Sequence, residues 1–214
     1  FARLYRTSLA AAAITFGSRD FALRAIRSIN QKHQKVHGVL KTQAGVFPAG
    51  TPYDANDPEL KLWVLSTITD STLFVYELFV SKLSREDRER YYADNLRVAE
   101  LFGIPESIVP PTYDDFRTYF DRMMEGDVIR VSDEAKDIYK ALFARTPSGL
   151  LLFAGSAPSI ALLPERLREE FGFGWKSRGQ TLWQRIPPIC RTLRRYTPSV
   201  LCANPAATVS QLIL

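Results

Sequence analysis

Residues 57–80 read DPELKLWVLSTITDSTLFVYELFV, and their pattern determines the class of fold. Aspartate at the cap, proline in the first turn and glutamate beside the positive end of the helix dipole form a strong helix start. Beyond it, residues 60–80 are apolar on almost every face, yet they include Lys61, Asp70 and Glu77. Those charges and the interspersed serines and threonines argue against a membrane span and indicate the long, apolar central helix of a helical bundle.

Helix signals also occur on both sides of this segment. The alanine-rich residues 1–16 form a helix that ends before Gly17, and four further amphipathic segments begin at cap residues. These cap residues are Ser18, Ser84, Thr112 and Ser132. No hairpin dipeptide lies between alternating apolar runs. The sequence therefore predicts an all-α fold in which one globular multi-helix domain spans residues 1–214.

The remaining segments are interrupted by turn residues. Residues 39–56 contain two glycines and two prolines, which predicts a long functional loop. Prolines also interrupt the pattern after residue 146, and we predict shorter helices near residues 164–171, 188–196 and 205–214. Because the chain opens on phenylalanine, we expect that an N-terminal part of the full chain is missing. The two cysteines, Cys190 and Cys202, are interpreted as reduced.

The composition is that of a globular protein with a basic C-terminal region. The chain has 214 residues, of which 46% are hydrophobic, so it can bury a full core. Its net charge is +5. The late basic residues are Arg166, Arg168, Lys176, Arg178, Arg185, Arg191, Arg194 and Arg195. No groove-reading motif or stacking platform accompanies them, so we predict a solvated basic face and no nucleic-acid partner. Peripheral contact with an anionic membrane ranks below the solvated face and above nucleic-acid binding.

Both histidines of the chain lie in residues 30–38, which read NQKHQKVHG. His33 falls on the apolar stripe of the helix that begins at Ser18, and His37 lies one helical turn further on, on the same side. An unsatisfied buried donor or acceptor costs about 1–3 kcal/mol, so a core-facing imidazole needs partners. From the residues alone, His33 is a satisfied core histidine, the commoner case, or a ligand. A metal pair with His37 is geometrically open, although no cysteine or carboxylate flanks it at a recognisable spacing.

Two further patterns suggest candidate site residues. Arg3 and Thr7 are four residues apart and share a face of the first helix. Asp70 shares a face of the central helix with Trp63 and Thr67. In apolar surroundings Asp70 must be paired or protonated, and we interpret it as a structural partner instead of a catalytic acid.

Three motifs in a fixed order indicate a family resemblance. They are RLYRT at residues 3–7, HQKVHG at residues 33–38 and DANDPELKLWV at residues 54–64. Later matches are YY at 91–92, LFGIP at 101–105 and the segment 112–119. Together they resemble the catalytic domain of the rubber oxygenases and of the MpaB-type oxygenase of mycophenolic acid biosynthesis. The resemblance covers about the first 145 residues, and ordered motifs are far more specific than any one alone.

The resemblance implies a cofactor and roles for named residues. The latex-clearing members of that family are all-helical haem b dioxygenases that cleave a carbon–carbon double bond of polyisoprene. By resemblance, His33 is the proximal ligand of the haem iron, His37 occupies a variable position, and Arg3 and Thr7 are catalytic residues on the distal side. The predicted cofactor-binding residues are His33, Arg3, Thr7, Trp63 and Thr67. A glutamate that serves as the base in the rubber-cleaving branch would lie upstream of Phe1.

The function implied is that of a haem b-dependent oxygenase. With O2 it would act on a hydrophobic, isoprenoid or lipid-like unsaturated substrate, by oxidative C=C cleavage or a related oxygen insertion. One alternative is a non-haem metal enzyme in which His33 and His37 both bind and Asp70 is the available carboxylate. A second alternative is a non-catalytic helical protein that binds a lipid-like ligand. We expect a cytoplasmic or membrane-associated location.

Overall fold

The structure is a computed structural model that describes residues 2–142, 159–173, 186–193 and 196–197. Two short strands, β1 His37–Val39 and β2 Pro52–Asp54, pair with each other, and Glu106–Ile108 forms a 3-10 turn. The helices with complete bounds are α1 Ala2–Phe16, α2 Arg19–His33, α3 Pro58–Phe79, α4 Arg85–Leu101, α5 Tyr113–Glu125, α6 Asp133–Leu142 and α7 Glu165–Phe171. The predicted all-α class is confirmed.

The described residues fall into two compact units. The first unit draws on Phe1–Gly38, Tyr53–Arg117 and Arg191–Leu214. The second unit draws on Val39–Pro52 and Thr118–Cys190. The organisation of residues 1–214 as a single domain stays a prediction.

The predicted start signals lie where helices begin. At the start of α3, Asp57 Oδ1 accepts hydrogen bonds from the amides of Glu59 (2.8 Å) and Leu60 (3.2 Å). Ser84 and Asp87 form the predicted capping box of α4, since each side chain accepts from the amide of the other residue. Side-chain caps of this kind contribute about 1 kcal/mol each. At Ser18, Thr112 and Ser132 the side-chain hydroxyl likewise accepts a hydrogen bond from the amide three residues later.

The core of the first unit forms where one stripe of α3 packs against α4 and the start of α5. The stripe consists of Leu62, Ser66, Thr69 and Leu73. Opposite it, Phe116 is only 1% exposed and stacks on Tyr92 with ring centroids 5.1 Å apart. The Tyr92 hydroxyl donates to the carbonyl of Pro110 (2.6 Å), and the Thr69 hydroxyl donates within α3 to the carbonyl of Leu65 (2.9 Å). The buried hydroxyls of Thr69 and Tyr92 are therefore hydrogen-bonded.

The prediction of a long, apolar central helix is corrected. α3 is 22 residues long, but its burial is confined to the stripe facing α4. On another side Leu60, Val64 and Ile68 are 46%, 57% and 55% exposed. The apolar pattern set the length of the helix, whereas packing against α4 selected which face is buried. Among the described residues, no helix has the length and apolar character needed to cross a membrane.

The end of α2 also differs from the prediction. The amide of Gln34 still donates to the carbonyl of Asn30 (3.2 Å), but the amide of Val36 donates to the carbonyl of His33 (2.9 Å) in a tighter turn. This turn ends the helix at His33. His37 lies exposed in β1, so the prediction that both imidazoles share a helix face is wrong.

The segment predicted as a loop, residues 39–56, has regular structure at both ends. β1 enters it and β2 lies within it. The ribbon continues beyond the strands, since the amide of Leu40 donates to the carbonyl of Thr51 (2.9 Å). Backbone hydrogen bonds therefore order this long connection, because they give its N–H and C=O groups the partners that such groups need.

In the second unit, the side chain of Arg166 organises the backbone after α5. From α7 it donates to the carbonyls of Met124 (2.5 Å), Gly126 (3.0 Å) and Ile129 (3.1 Å). The last carbonyls of a helix lack partners within the helix, and a guanidinium fork can supply several donors. The prediction of a solvated basic face is therefore wrong at Arg166, which is a structural donor.

Other C-terminal predictions are met in part. α7 matches the predicted helix at 164–171, and residues 186–193 are helical where 188–196 was predicted. The predicted features outside the described residues are Lys176, Arg178, Arg185, Arg194, Arg195, Cys202 and the helix at 205–214.

The packing around Phe116 gives a prediction for stability. Replacing the buried ring in Phe116→Ala should lower the free energy of unfolding by about 3–5 kcal/mol, because it removes apolar burial and leaves a cavity. The matched control is Phe74→Ala, at a ring that is 46% exposed on α3, which should cost much less. Urea unfolding followed by circular dichroism measures both. Equal losses in the two variants would contradict this description of the core.

Candidate functional site

A cavity of about 260 Å³ in the first unit lies beside the end of α2 and could hold a ligand. Five positions of one face of α3 form one wall, and α2, the residue after β2 and the end of α4 form the others. The lining residues are His33, Ala55, Leu60, Lys61, Val64, Leu65, Ile68, Phe102 and Ile104. Its volume lies just below the roughly 300–1,000 Å³ typical of small-molecule sites, and exposed side chains at its edge let a ligand extend further.

A second, smaller cavity lies in the core between α3 and α4. Its volume is about 10 Å³, which is room for a single water molecule. The His33 cavity is therefore the candidate binding site.

His33 is the last residue of α2 and presents its ring to this cavity. Its Nδ1 is buried and has no hydrogen-bond partner among the described residues. Burial lowers the pKa of His33 below its ordinary value, and the nearby positive charge of Lys61 lowers it further. The imidazole is therefore neutral at physiological pH, and a neutral ring has a nitrogen lone pair available for a metal.

Asn30 provides a second buried atom in the same situation. It lies three residues before His33, so the two side chains are neighbours on α2. Asn30 Oδ1 is buried and lacks a hydrogen-bond partner among the described residues. Each such atom costs about 1–3 kcal/mol. Two of them on one helical turn indicate that water, a ligand or a metal completes this site.

The cavity wall combines aliphatic side chains with one cation. Lys61 is the single charged residue among the described residues that line it, and its ammonium donates to the carbonyl of Phe102 (3.3 Å). Leu60, Val64 and Ile68 provide apolar surface at intervals of one helical turn. The arrangement favours a ligand that is mostly apolar and has an anionic group at one point.

Close packing against Tyr53 explains why the HQKVHG motif ends in a glycine, Gly38. A Cβ at Gly38 would lie 2.8 Å from the Tyr53 hydroxyl oxygen, which is too close for ordinary contact. Gly38 and Tyr53 belong to the paired strands that follow α2. The absence of a side chain at Gly38 therefore lets Tyr53 lie directly on the turn that leaves His33.

The structure places the other predicted site residues away from this cavity. Trp63 and Thr67 are half-buried on α3 but are not among the described residues that line it; they are displaced by one position, about 100° of rotation, from Val64 and Ile68. The Thr67 hydroxyl donates to the carbonyl of Val64 (2.8 Å). Their roles as cofactor-binding residues stay predictions.

Arg3 and Thr7 belong to α1. Thr7 is exposed and does not line the described cavity, and the side chain of Arg3 lies outside the described part of the structure. A two-residue connection joins α1 to α2, and the helices pack against each other, so the first turn of α1 returns towards the last turn of α2. The distal roles predicted for Arg3 and Thr7 stay predictions.

Asp70 has the structural role predicted for it. Its carboxylate forms an ion pair and a hydrogen bond with Arg117, and both side chains are partly buried. Within the described ranges, no group of three or more histidine, cysteine, aspartate or glutamate side chains is arranged to hold a metal ion. The alternative of a site built by His33, His37 and Asp70 therefore has no described ligand set.

The sequence alone did not identify Lys61, Phe102 and Ile104 as part of a site. A signal for the α3 wall was present, since apolar residues recur at 60, 64 and 68. That signal was obscured because the neighbouring positions are apolar too. Phe102 and Ile104 follow the end of α4, and only tertiary packing brings them to the cavity, so no local pattern identified them.

Comparison with known proteins gives a family match. The profile described as "ER-bound oxygenase mpaB/B'/Rubber oxygenase, catalytic domain" matches residues 1–195. Similar proteins include the uncharacterized protein Mb2261 of Mycobacterium bovis and the uncharacterized protein Rv2237 of Mycobacterium tuberculosis. Each is 23% identical over 204 residues, which is 92% of this chain and 76% of the relative. No solved structure matches.

The charge of Lys61 gives a prediction for the ligand-free protein. Lys61→Met should raise the pKa of His33, because it removes a positive charge that disfavours the imidazolium. Lys41→Met, at an exposed lysine outside the cavity, is the control. NMR titration of labelled histidine measures the change. An unaltered His33 pKa in Lys61→Met would contradict the geometry.

The same pKa shift predicts how stability depends on pH. The pKa of His33 is lower in the folded chain than its ordinary value of 6.5, so the unfolded chain binds the proton first as pH falls. The contribution of His33 to the free energy of unfolding is therefore present above pH 6.5 and declines below it. His33→Gln should reduce the dependence on pH in this range, as measured by urea unfolding at several pH values. An identical pH dependence in the variant would rule out a buried neutral His33.

Proposed function

We propose that this chain, which belongs to the family of the ER-bound oxygenase mpaB/B' and rubber oxygenase catalytic domains, is a haem b-dependent oxygenase acting on a hydrophobic, unsaturated substrate. Membership gives the general role of an oxygenase, an oxidoreductase that uses a small-molecule substrate and O2. The observation that supports haem is a neutral histidine with an unpartnered buried nitrogen, facing an apolar cavity.

The residues of the cavity fit a haem iron. His33 would hold the iron through the ring nitrogen that faces the cavity. Histidine ligands normally donate their other ring N–H to an oxygen, and Asn30 Oδ1 is a buried acceptor on the preceding turn of α2. A bound haem would supply the iron chemistry that activates dioxygen.

The chain itself supplies the surroundings of that chemistry. Leu60, Val64 and Ile68 give an apolar wall that excludes water and can accept a hydrocarbon chain. These surroundings support a hydrophobic substrate of the isoprenoid or lipid-like class, with oxidative C=C cleavage or a related oxygen insertion as the reaction. Location in the cytoplasm or at a membrane, with peripheral membrane contact, stays a prediction.

We assign Arg3 and Thr7 to the side of the haem opposite His33. The packing of α1 against α2 supports a role for these residues near the cofactor, because it brings the first turn of α1 towards the end of α2 that bears His33. An arginine stays protonated and would stabilise negative charge that develops near it during the reaction. A threonine adds a small hydrogen-bond donor while leaving room for substrate.

The two histidines allow a matched test of the cofactor. His33→Ala should abolish specific haem binding, whereas His37→Ala should leave it largely intact, because His37 is exposed in β1. Absorbance titration of the purified chain with haem, together with metal analysis, measures the Soret band and the bound iron. Equal loss of iron from both variants would instead favour a two-histidine non-haem site. A wild-type chain that binds lipid without haem or metal would favour a non-catalytic binding protein.

The distal assignment has a separate test. Arg3→Ala and Thr7→Ala should each lower oxygen uptake with an unsaturated isoprenoid or lipid by about 10-fold or more while bound haem is retained. Arg6→Ala is the control, since Arg6 lies on the same helix about 100° from Thr7. Full activity in both variants, with haem retained, would show that α1 does not form the distal wall.

A further inference from the structure

We propose that Lys61 binds a carboxylate of the molecule that occupies the His33 cavity. The carboxylate could come from either of two sources. The first is the propionate of a haem, and for this source the inference rests on the proposed function. The other source is the carboxylate of a fatty-acid-like substrate. In both cases the ligand would combine a large apolar body with an acidic group.

The first argument is that Lys61 lacks an anionic partner within the described residues. Its ammonium has one hydrogen bond, to the neutral carbonyl of Phe102 at 3.3 Å. No aspartate or glutamate oxygen from the described residues lies within the 4.0 Å of an ion pair. A partly buried charge is costly unless it is paired, and an ammonium has three donors, of which two remain.

The second argument is the position of Lys61 on α3. It lies four residues after the Asp57 cap, close to the positive end of the helix dipole. The positive end of this dipole disfavours a cation, although the ammonium itself reaches the C-cap carbonyl of α4 at Phe102. A carboxylate that reaches Lys61 would offset the unfavourable position of the cation on α3.

The third argument is that Lys61 and His33 line the same cavity. The surface between them is apolar, with Val64 and Leu65 following Lys61 on the same helix face. One ligand can therefore contact both the imidazole and the ammonium while its body covers aliphatic side chains. A fully apolar ligand would leave the ammonium without an anion, so the cavity discriminates in favour of an acid.

The experiment compares acids with their neutral esters. The full chain is titrated with haem and with haem dimethyl ester, followed by the Soret band. In parallel, oleic acid and methyl oleate compete with a fluorescent fatty acid. Wild type, Lys61→Met, Lys61→Arg and the exposed control Lys41→Met are compared, and circular dichroism establishes that each variant is folded.

We expect Lys61→Met to bind one of the two acids about 10-fold more weakly, with no change for the corresponding ester. Lys61→Arg should retain most of the affinity, because it keeps the charge. Weakening confined to haem identifies the cofactor carboxylate, and weakening confined to oleic acid identifies the substrate carboxylate.

The two proposals fail in distinguishable ways. A wild-type chain without a Soret band contradicts the haem proposal, while the fatty-acid titration still tests Lys61. Unchanged affinity of Lys61→Met for both acids, equal weakening of acids and esters, or no binding of either acid to the wild type would overturn the assignment of Lys61.

Discussion

The first unit depends on the burial of one stripe of α3 against α4 and Phe116. Thr69 and Leu73 lie in that stripe, and their packing fixes the rotation of α3 about its axis. A helix turns about 100° per residue, so this rotation turns Lys61 and Val64 towards the end of α2. The cavity wall is thus determined by contacts on a different side of the same helix, and Leu65 and Ile104 connect the cavity to the core.

The site itself departs from the rule that buried polar atoms are paired. Asn30 Oδ1 and His33 Nδ1 lack partners among the described residues, and Lys61 has a carbonyl where an ion pair would be stronger. Elsewhere in the unit the buried hydroxyls of Thr69 and Tyr92 are hydrogen-bonded. The three incompletely satisfied groups lie on or beside one cavity, and a ligand that satisfies them would stabilise the folded chain in proportion to its binding.

Local features could be read from the sequence, and those set by tertiary packing could not. The caps at Asp57 and Ser84 involve neighbours within three residues, so their pattern predicts them directly. His33 was a candidate from its place on an apolar stripe and from its motif. The rotation of α3 was ambiguous, because nearly all its positions are apolar and any face could be buried. The bonds from Arg166 join residues about forty positions apart, and no local pattern reveals them.

The unsatisfied oxygen of Asn30 has a consequence for how this position should vary among relatives. A leucine there would remove an unsatisfied oxygen from the ligand-free chain, so selection for thermal stability alone would favour the replacement. Asparagine would be retained where a ligand or an ordered water beside His33 satisfies that oxygen. Across a set of relatives, joint loss of the amide and the imidazole would then mark descendants that have abandoned the ligand while keeping the helical scaffold.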